Sequence, residues 1–378
     1  MHKDSTAIIL ITIILTVLGI MVSYSVEGIE KTLQSFLVKQ LILLFLGGGM
    51  FIFMFFSDYH SLFKPNALWV LSLVSVICLV LVLIIGDVFN GARRWLSLPG
   101  GFSIQPSEFA KFIVLINMTW YFCRFYDRLK SFTFGIVFPL LLSGFYVGLI
   151  FLENDQGIPM VIMATVLCMM FVAGIQKKYL VFGSGLLGIL FGFAILLKPH
   201  RIYRIIYTWF PEWDPSGKGW HIIQSLVGFY KGGIMGVGIG AGEQKLGYLP
   251  APHRDFPFSL IAEELGFLGA LLIVLLFALF VYYGFKIARK APDLQGSLLA
   301  MGITCMIGIQ AVVMMLVNMG LLPVKGMCLP LVSSGGSSFV ASMMMLGCLI
   351  NIGIQEVQTE PYTYGKVSIL LSPKNLLN

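Results

Sequence analysis

The apolar residues of this chain fall in long blocks separated by short polar stretches. Predominantly apolar runs occupy about 7–25, 38–56, 67–86, 107–123, 132–152, 159–175, 179–197, 258–285, 297–318 and 336–355. A helix needs roughly 20 such residues to cross the hydrocarbon core of a bilayer, and these runs reach or approach that length. The pattern predicts an all-α polytopic integral membrane protein with about ten transmembrane helices, the fourth being the least apolar. The first run follows Met1 to Asp4, is long, and precedes no convincing small-x-small cleavage site, so it reads as the first span and not as a leader. Residues 1–378 read as a single membrane domain, with a long loop at 198–257 and a tail at 356–378.

Composition agrees. The 378 residues are 58% hydrophobic and only 11% charged, against about 25% charged in soluble domains. Such a chain cannot cover itself with polar surface and needs lipid as its solvent. The net charge of +7 belongs to topology and anionic headgroups. No basic run is interleaved with aromatics, which argues against a nucleic-acid partner. The six cysteines (Cys78, Cys123, Cys168, Cys305, Cys328 and Cys348) form no CxxC pair and read as small buried hydrophobes, not metal ligands.

Lysine and arginine set the orientation. With a cytoplasmic N-terminus, inner segments carry Lys3, Lys64, Arg124, Arg128, Lys130, Lys177, Lys178, Lys286, Arg289, Lys290, Lys366 and Lys374, whereas short outer loops carry Lys31, Arg93, Arg94 and Lys325. Both termini are then cytoplasmic, and 198–257 becomes a long extracytoplasmic loop between spans 7 and 8. Its richness in Trp, Tyr and Gly argues against disorder, and a loop of that length calls for a function.

Four segments carry candidate chemistry, and all fall on the predicted outer side. Asn90 to Lys111 ends with Glu108 and Lys111 one turn apart on a helix face, either a structural ion pair or the wall of a polar cavity. Phe151 to Gly157 sets Glu153 and Asp155 at the end of the fifth span. Gly232 to Gly266 begins with six glycines, which let backbone approach a ligand or another backbone. It continues through Lys245 and His253-Arg254-Asp255-Phe256 to Glu263 and Glu264, two adjacent acids that need partners or water inside a span. Gly320 to Ser338 holds two prolines, Pro323 and Pro330, and a Gly-Gly pair, which forbid a regular helix. Its polar irregular backbone makes Asn318, Lys325, Ser333, Ser334, Ser337 and Ser338 cavity candidates.

These stretches, NGARRW…QPSEFAK, GGIMGVGIGAGEQK…LP…HRDF…EELG and LLPVKG…LP…SSGGSS, resemble the signature segments of the SEDS family (FtsW, RodA, SpoVE) in order and spacing over nearly the whole chain. The glycine run and LLPVKG look more like the division-type FtsW branch than the elongation-type RodA branch. ENDQGIP and SSGG depart from the family pattern, and the first departure weakens a required role for Glu153 or Asp155. The resemblance implies a peptidoglycan glycosyltransferase that joins lipid II into a growing glycan strand, in division or shape maintenance. Its place would be the outer face of the bacterial cytoplasmic membrane, beside a class B penicillin-binding protein that crosslinks the strands. It also makes Asp255, the aspartate of the H-x-D-F stretch, the essential acid.

The chemistry so implied is attack by a sugar hydroxyl on an anomeric carbon whose leaving group is a lipid pyrophosphate. Asp255 is the candidate general base. Arg93, Arg94, Lys245 and Arg204 are candidates for the pyrophosphate, and Glu108 with Lys111 for the acceptor. Outward carboxylates leave room for a divalent cation, though no dedicated ligand motif exists. The competing readings are a lipid II flippase, which predicts inverted repeats and a midplane site, and a non-catalytic scaffold for the transpeptidase.

Overall fold

The computed structural model describes residues 3–30, 33–89, 92–98, 102–196, 199–249, 252–323 and 326–355. A helix stands at each of the ten expected positions. Seven come first: α1 (Lys3–Glu30), α2 (Leu33–Phe56), α3 (Pro65–Ile85), α4 (Pro106–Arg124), α5 (Phe138–Leu152), α6 (Gly157–Val172) and α7 (Lys177–Leu196). Three short helices follow, α8 (Pro199–Trp209), α9 (Trp220–Gly232) and α10 (Pro252–Asp255), and then the long α11 (Pro257–Lys290), α12 (Leu294–Asn318) and α13 (Gly336–Gln355). Among the described residues, seven helices are long and apolar enough to cross a membrane: α1, α2, α3, Thr133–Leu152, α11, α12 and α13. Proline opens α3, α4 and α11, where a helix has no use for the missing amide. Asp293 caps α12 by accepting from the Gly296 amide at 2.6 Å.

The bundle has a centre and a rim. Helices α12 and α13 are 83% and 89% buried over their apolar windows, whereas α2 and α3 are 11% and 17% buried. The rim helices expose Phe45, Phe53, Trp69 and Leu73, as lipid-facing walls do. Between apolar helices in lipid, close packing and interhelical hydrogen bonds replace the hydrophobic effect. Asn117 of α4 illustrates this: it donates to Ser72 of α3 at 3.0 Å and to the Tyr146 hydroxyl of α5 at 3.2 Å.

The chain departs from the all-α expectation between α3 and α4. There β1 (Asp87–Phe89), β2 (Ala92–Leu98) and β3 (Phe102–Ile104) form a small antiparallel sheet in the order β1-β2-β3. Val88 pairs with Arg93, and Ser97 with Ser103. The reason is local. The pieces, of three, seven and three residues, are too short for a membrane helix, and ladder hydrogen bonds satisfy their backbone at the end of the bundle. The long loop is likewise structured, built from α8, α9, a wide turn at Gln244–Tyr248, and α10. Lys325 and the tail at 356–378 lie outside the described residues.

Helix α11 kinks at Gly266, whose φ is +69°. The glycine run closes on this kink as backbone against backbone. The amides of Val237 and Gly238 donate to the carbonyls of Glu263 and Glu264 at 3.0 and 3.1 Å, and Phe267 N–H donates to Gly233 at 2.8 Å. A Cβ at Gly266 would overlap the Gly236 amide nitrogen. Gly266→Ala should therefore cost on the order of 1–3 kcal/mol or more and lower the thermal midpoint of the purified protein. Gly48→Ala, with open space around its Cβ, should leave the midpoint unchanged. Equal midpoints for the two variants would contradict this account of the kink.

Candidate active site

The four chemistry-bearing segments meet at one end of the bundle, around Asp255. This half-buried residue ends α10, and two contacts fix its turn. Asn318, buried at the end of α12, donates to the Asp255 carbonyl at 3.1 Å and accepts from the amides of Phe258 and Ser259 at 3.2 and 3.3 Å. Ser334 donates its amide to the His253 carbonyl at 3.2 Å. The turn is thus held by the end of α12 and by the irregular segment before α13. Arg254 lies over the Trp95 ring, 4.3 Å from its centroid, which joins the turn to β2. Burial pushes the Asp255 carboxyl up to about 6, against the opposing pull of the Arg254 and Arg94 charges.

Strand β2 separates the two adjacent arginines, because neighbouring side chains on a strand point to opposite faces. Arg93 is exposed and donates to the Leu83 and Ile84 carbonyls at 3.2 and 3.0 Å, closing the end of α3. Arg94 turns the other way, donates to the Asn154 carbonyl, and comes within 3.7 Å of the Asp155 carboxylate. Asp155 also accepts from the Gly157 and Ile158 amides at 2.9 and 3.3 Å, which caps α6. Beside it Glu153 is 1% exposed, and neither carboxyl oxygen has a hydrogen-bond partner among the described residues. Burial and the Asp155 charge push its pKa up to about 9, so Glu153 is protonated at neutral pH.

Glu108 and Lys111 form a buried ion pair 2.6 Å apart in the first turns of α4. Lys111 also donates to Gln310 of α12 at 2.6 Å, and Gln310 donates to the Cys328 carbonyl at 2.8 Å. The pair therefore ties α4 and α12 to the irregular segment. Ser337 accepts from the Gln105 amide at 3.0 Å, where β3 meets α4, and Ser333 accepts from the Leu329 amide at 2.7 Å. Both serines pin backbone at the edge of the site.

Lys245 is buried away from this cluster. It pairs with Glu264 at 3.0 Å and donates to Ser25 of α1 at 2.7 Å. Glu263 accepts from the Glu243 amide at 2.8 Å. The two adjacent acids of α11 thus find their partners in the turn after the glycine run. Arg204 lies on α8 and feels the like charges of Arg94 and Arg201. Sequence reasoning named Arg254 and Asp155 within its candidate segments without giving either a role in the site, and it gave no signal for Gln310 or Arg201. Among the described residues, no group of three or more His, Cys, Asp or Glu side chains is arranged to hold a metal ion.

A helical membrane bundle with a half-buried carboxylate under the charges of two arginines at one end defines the class. The chain belongs to the FtsW/RodA/SpoVE family of cell cycle proteins, whose model matches residues 5–358. It is similar to stage V sporulation protein E of Bacillus subtilis, 39% identical over 91% of this chain and 95% of that protein. It is also similar to a probable peptidoglycan glycosyltransferase FtsW of Trichlorobacter lovleyi, 38% identical over 91% and 92%. A solved structure, described as structural coordination of polymerization and crosslinking by a peptidoglycan synthase complex, aligns with a TM-score of 0.75 and 28% identity. That alignment covers 93% of this chain and 98% of the other.

The Glu108–Lys111 pair holds α4 to α12, and its loss should be read in stability. Lys111→Met strands a buried carboxylate and should cost on the order of 3–5 kcal/mol, whereas the double variant Glu108→Gln/Lys111→Met should recover most of that loss. Thermal unfolding of the purified variants measures both. A single variant as stable as wild type would show that the pair does not hold the bundle together.

Proposed function

We propose that this protein is a peptidoglycan glycosyltransferase that polymerises lipid II on the outer face of the bacterial cytoplasmic membrane. The observation that carries the reading is Asp255: a half-buried carboxyl at the end of the bundle, raised to about 6, between Arg254 and Arg94. Such a group is ionised at neutral pH and still basic enough to take a proton from a sugar hydroxyl, a contribution of about 10² to 10⁴ in rate. The acceptor hydroxyl gives its proton to Asp255 as its oxygen bonds to the anomeric carbon. The bond from that carbon to the pyrophosphate oxygen breaks, its electron pair leaves with the pyrophosphate, and the anomeric configuration inverts. Arg94, which acts on Asp255 together with Arg254, is the guanidinium proposed for the departing charge, and Arg204 feels the Arg94 charge in turn; Arg93, Lys245, Ser333 and Ser337 serve the frame of the site.

The topology consistent with this reading has about ten spans and both termini in the cytoplasm. Lys64, Arg124, Arg128, Lys130, Lys177, Lys178, Lys286, Arg289 and Lys290 fall at the helix ends away from Asp255, as the positive-inside rule asks of the cytoplasmic side. The loop holding α8 to α10 is then extracytoplasmic. Relatives named FtsW and SpoVE support a role in division-type wall synthesis. The similar synthase complex couples polymerization to crosslinking, which supports a class B penicillin-binding protein as partner here. A flippase would need its substrate site near mid-bundle, whereas Asp255 and the arginines acting on it, Arg254 and Arg94, lie at one end.

The test is glycan-strand formation from purified lipid II with the cognate transpeptidase present. Wild type should polymerise, and Asp255→Asn, folded and partner-bound, should not. Because the base acts only when deprotonated, the wild-type rate should rise with pH through about 6 and level off above it. Full polymerisation by Asp255→Asn would move the base elsewhere.

A further inference from the structure

At the end of the bundle away from Asp255, two connections lie side by side, one from α4 to α5 and one from α6 to α7. The first carries Arg124, Arg128 and Lys130, the second opens α7 with Lys177 and Lys178, and the acid among them is Asp127. All five basic side chains are exposed. Other charges at this end are matched: Lys286 and Lys290 pair with Asp4 at 2.7 and 3.1 Å, and His60 stands 2.7 Å from both Asp58 and Asp293. Among the described residues, no ion pair takes up any of the five.

The two connections are fixed to each other. The Gln176 side-chain amide donates to the Lys130 carbonyl at 3.2 Å. The Phe132 ring meets Tyr179 and Phe182 of α7 edge-on, with centroids 5.5 and 5.8 Å apart. Lys178 lies over the Tyr179 ring at 4.9 Å, and Arg128 over the Phe134 ring at 5.4 Å. The cations therefore stand on a shelf of rings. That shelf is exposed at Phe132 and Phe182 and runs on into the exposed Phe138 and Leu141 of α5 and Val181 of α7. Topology asks for basic residues on the cytoplasmic side, but it does not ask that they be gathered, unpaired, over aromatic rings. Like charges on two joined loops oppose one another, and an anion between them reverses that sign. Basic groups between helix ends suit phospholipid headgroups, and rings at that depth suit the start of the acyl chains.

We infer that this face binds a phospholipid with two phosphates, of the diphosphatidylglycerol (cardiolipin) class. Arg124, Arg128 and Lys130 take one phosphate, Lys177 and Lys178 take the other, and the acyl chains lie along Phe132, Phe182 and the outer faces of α5 and α7. The bound lipid staples the α4–α5 connection to the α6–α7 turn. The inference goes beyond the proposed activity, because this lipid is not a substrate and its site lies at the opposite end of the bundle. It rests on that reading only for the side of the membrane that the site faces.

The experiment uses the full-length protein in phosphatidylcholine nanodiscs, with tetraoleoyl cardiolipin as the probe. Binding is read by native mass spectrometry and by the thermal midpoint. Wild type should bind the probe and gain thermal stability from it. Lys177→Gln/Lys178→Gln should weaken binding by roughly 30-fold, since each cation near an anionic lipid contributes about a factor of five. Raised salt should weaken wild-type binding in the same direction. Without the probe, the variant's midpoint should match that of wild type, because both side chains are exposed. Lys64→Gln/Arg289→Gln removes the same charge from exposed positions on the same side and should leave the affinity at the wild-type value. Phosphatidylglycerol, with one phosphate, should compete roughly tenfold less well per phosphate, because it engages one set of cations at a time. Equal losses in the two double variants would overturn the inference and leave only bulk positive charge. Equal competition per phosphate would overturn the two-phosphate site. None of these readouts uses lipid II turnover, so failure here leaves the proposed activity standing, and failure of that activity leaves this site standing.

Discussion

Asn318 uses both ends of one side-chain amide to hold the site together. Its oxygen accepts the first free amides of α11, at Phe258 and Ser259, and its nitrogen donates to the Asp255 carbonyl. Backbone at the end of a membrane bundle tolerates irregularity only when its polar groups are paired or wet. Here the turn carrying Asp255, the start of α11 and the end of α12 satisfy one another through that single amide. Ser334 adds a bond from the segment before α13. The candidate base is therefore set by three segments distant in the chain, none of which fixes it alone.

The same logic governs the rest of the end region. The kink at Gly266 frees α11 carbonyls and amides, and the glycine run takes them up. Glu263 and Glu264, costly inside a span, are matched by backbone amides and by Lys245. Glu108, Lys111 and Gln310 form a chain of polar contacts from α4 through α12 to Cys328. Charge in this protein is concentrated where polar groups can complete one another, and the outward faces of α2 and α3 remain apolar. The exception at this end of the bundle is Glu153, with no hydrogen-bond partner among the described residues.

Much of this was legible in the chain. Long apolar blocks mark helices whatever their tertiary partners, so all ten positions could be read, α4 included despite Glu108, Lys111 and Asn117. The Glu108–Lys111 pair was legible because i and i+3 share a helix face. The sheet was not, since strands of three to seven residues carry little periodic signal. Without the sheet, Arg93 and Arg94 looked equivalent; strand alternation sends one to cap α3 and the other to Asp155. Lys245 looked like an anion contact because its partner Glu264 is a loop and a turn of helix away. Gln310 gave no signal at all, because nothing local in α12 announces that its amide will meet Lys111.

The central claim is that Asp255 faces the acceptor hydroxyl while guanidinium groups take the diphosphate. A cryo-electron microscopy structure of the wild-type protein with an unreactive lipid II analogue and an acceptor strand tests it most directly. The account predicts an acceptor hydroxyl at hydrogen-bond distance from the Asp255 carboxylate, roughly 3 Å, with the diphosphate toward Arg94 and α8. A sugar bound elsewhere, with Asp255 engaged only with Arg254 or the start of α11, would contradict it.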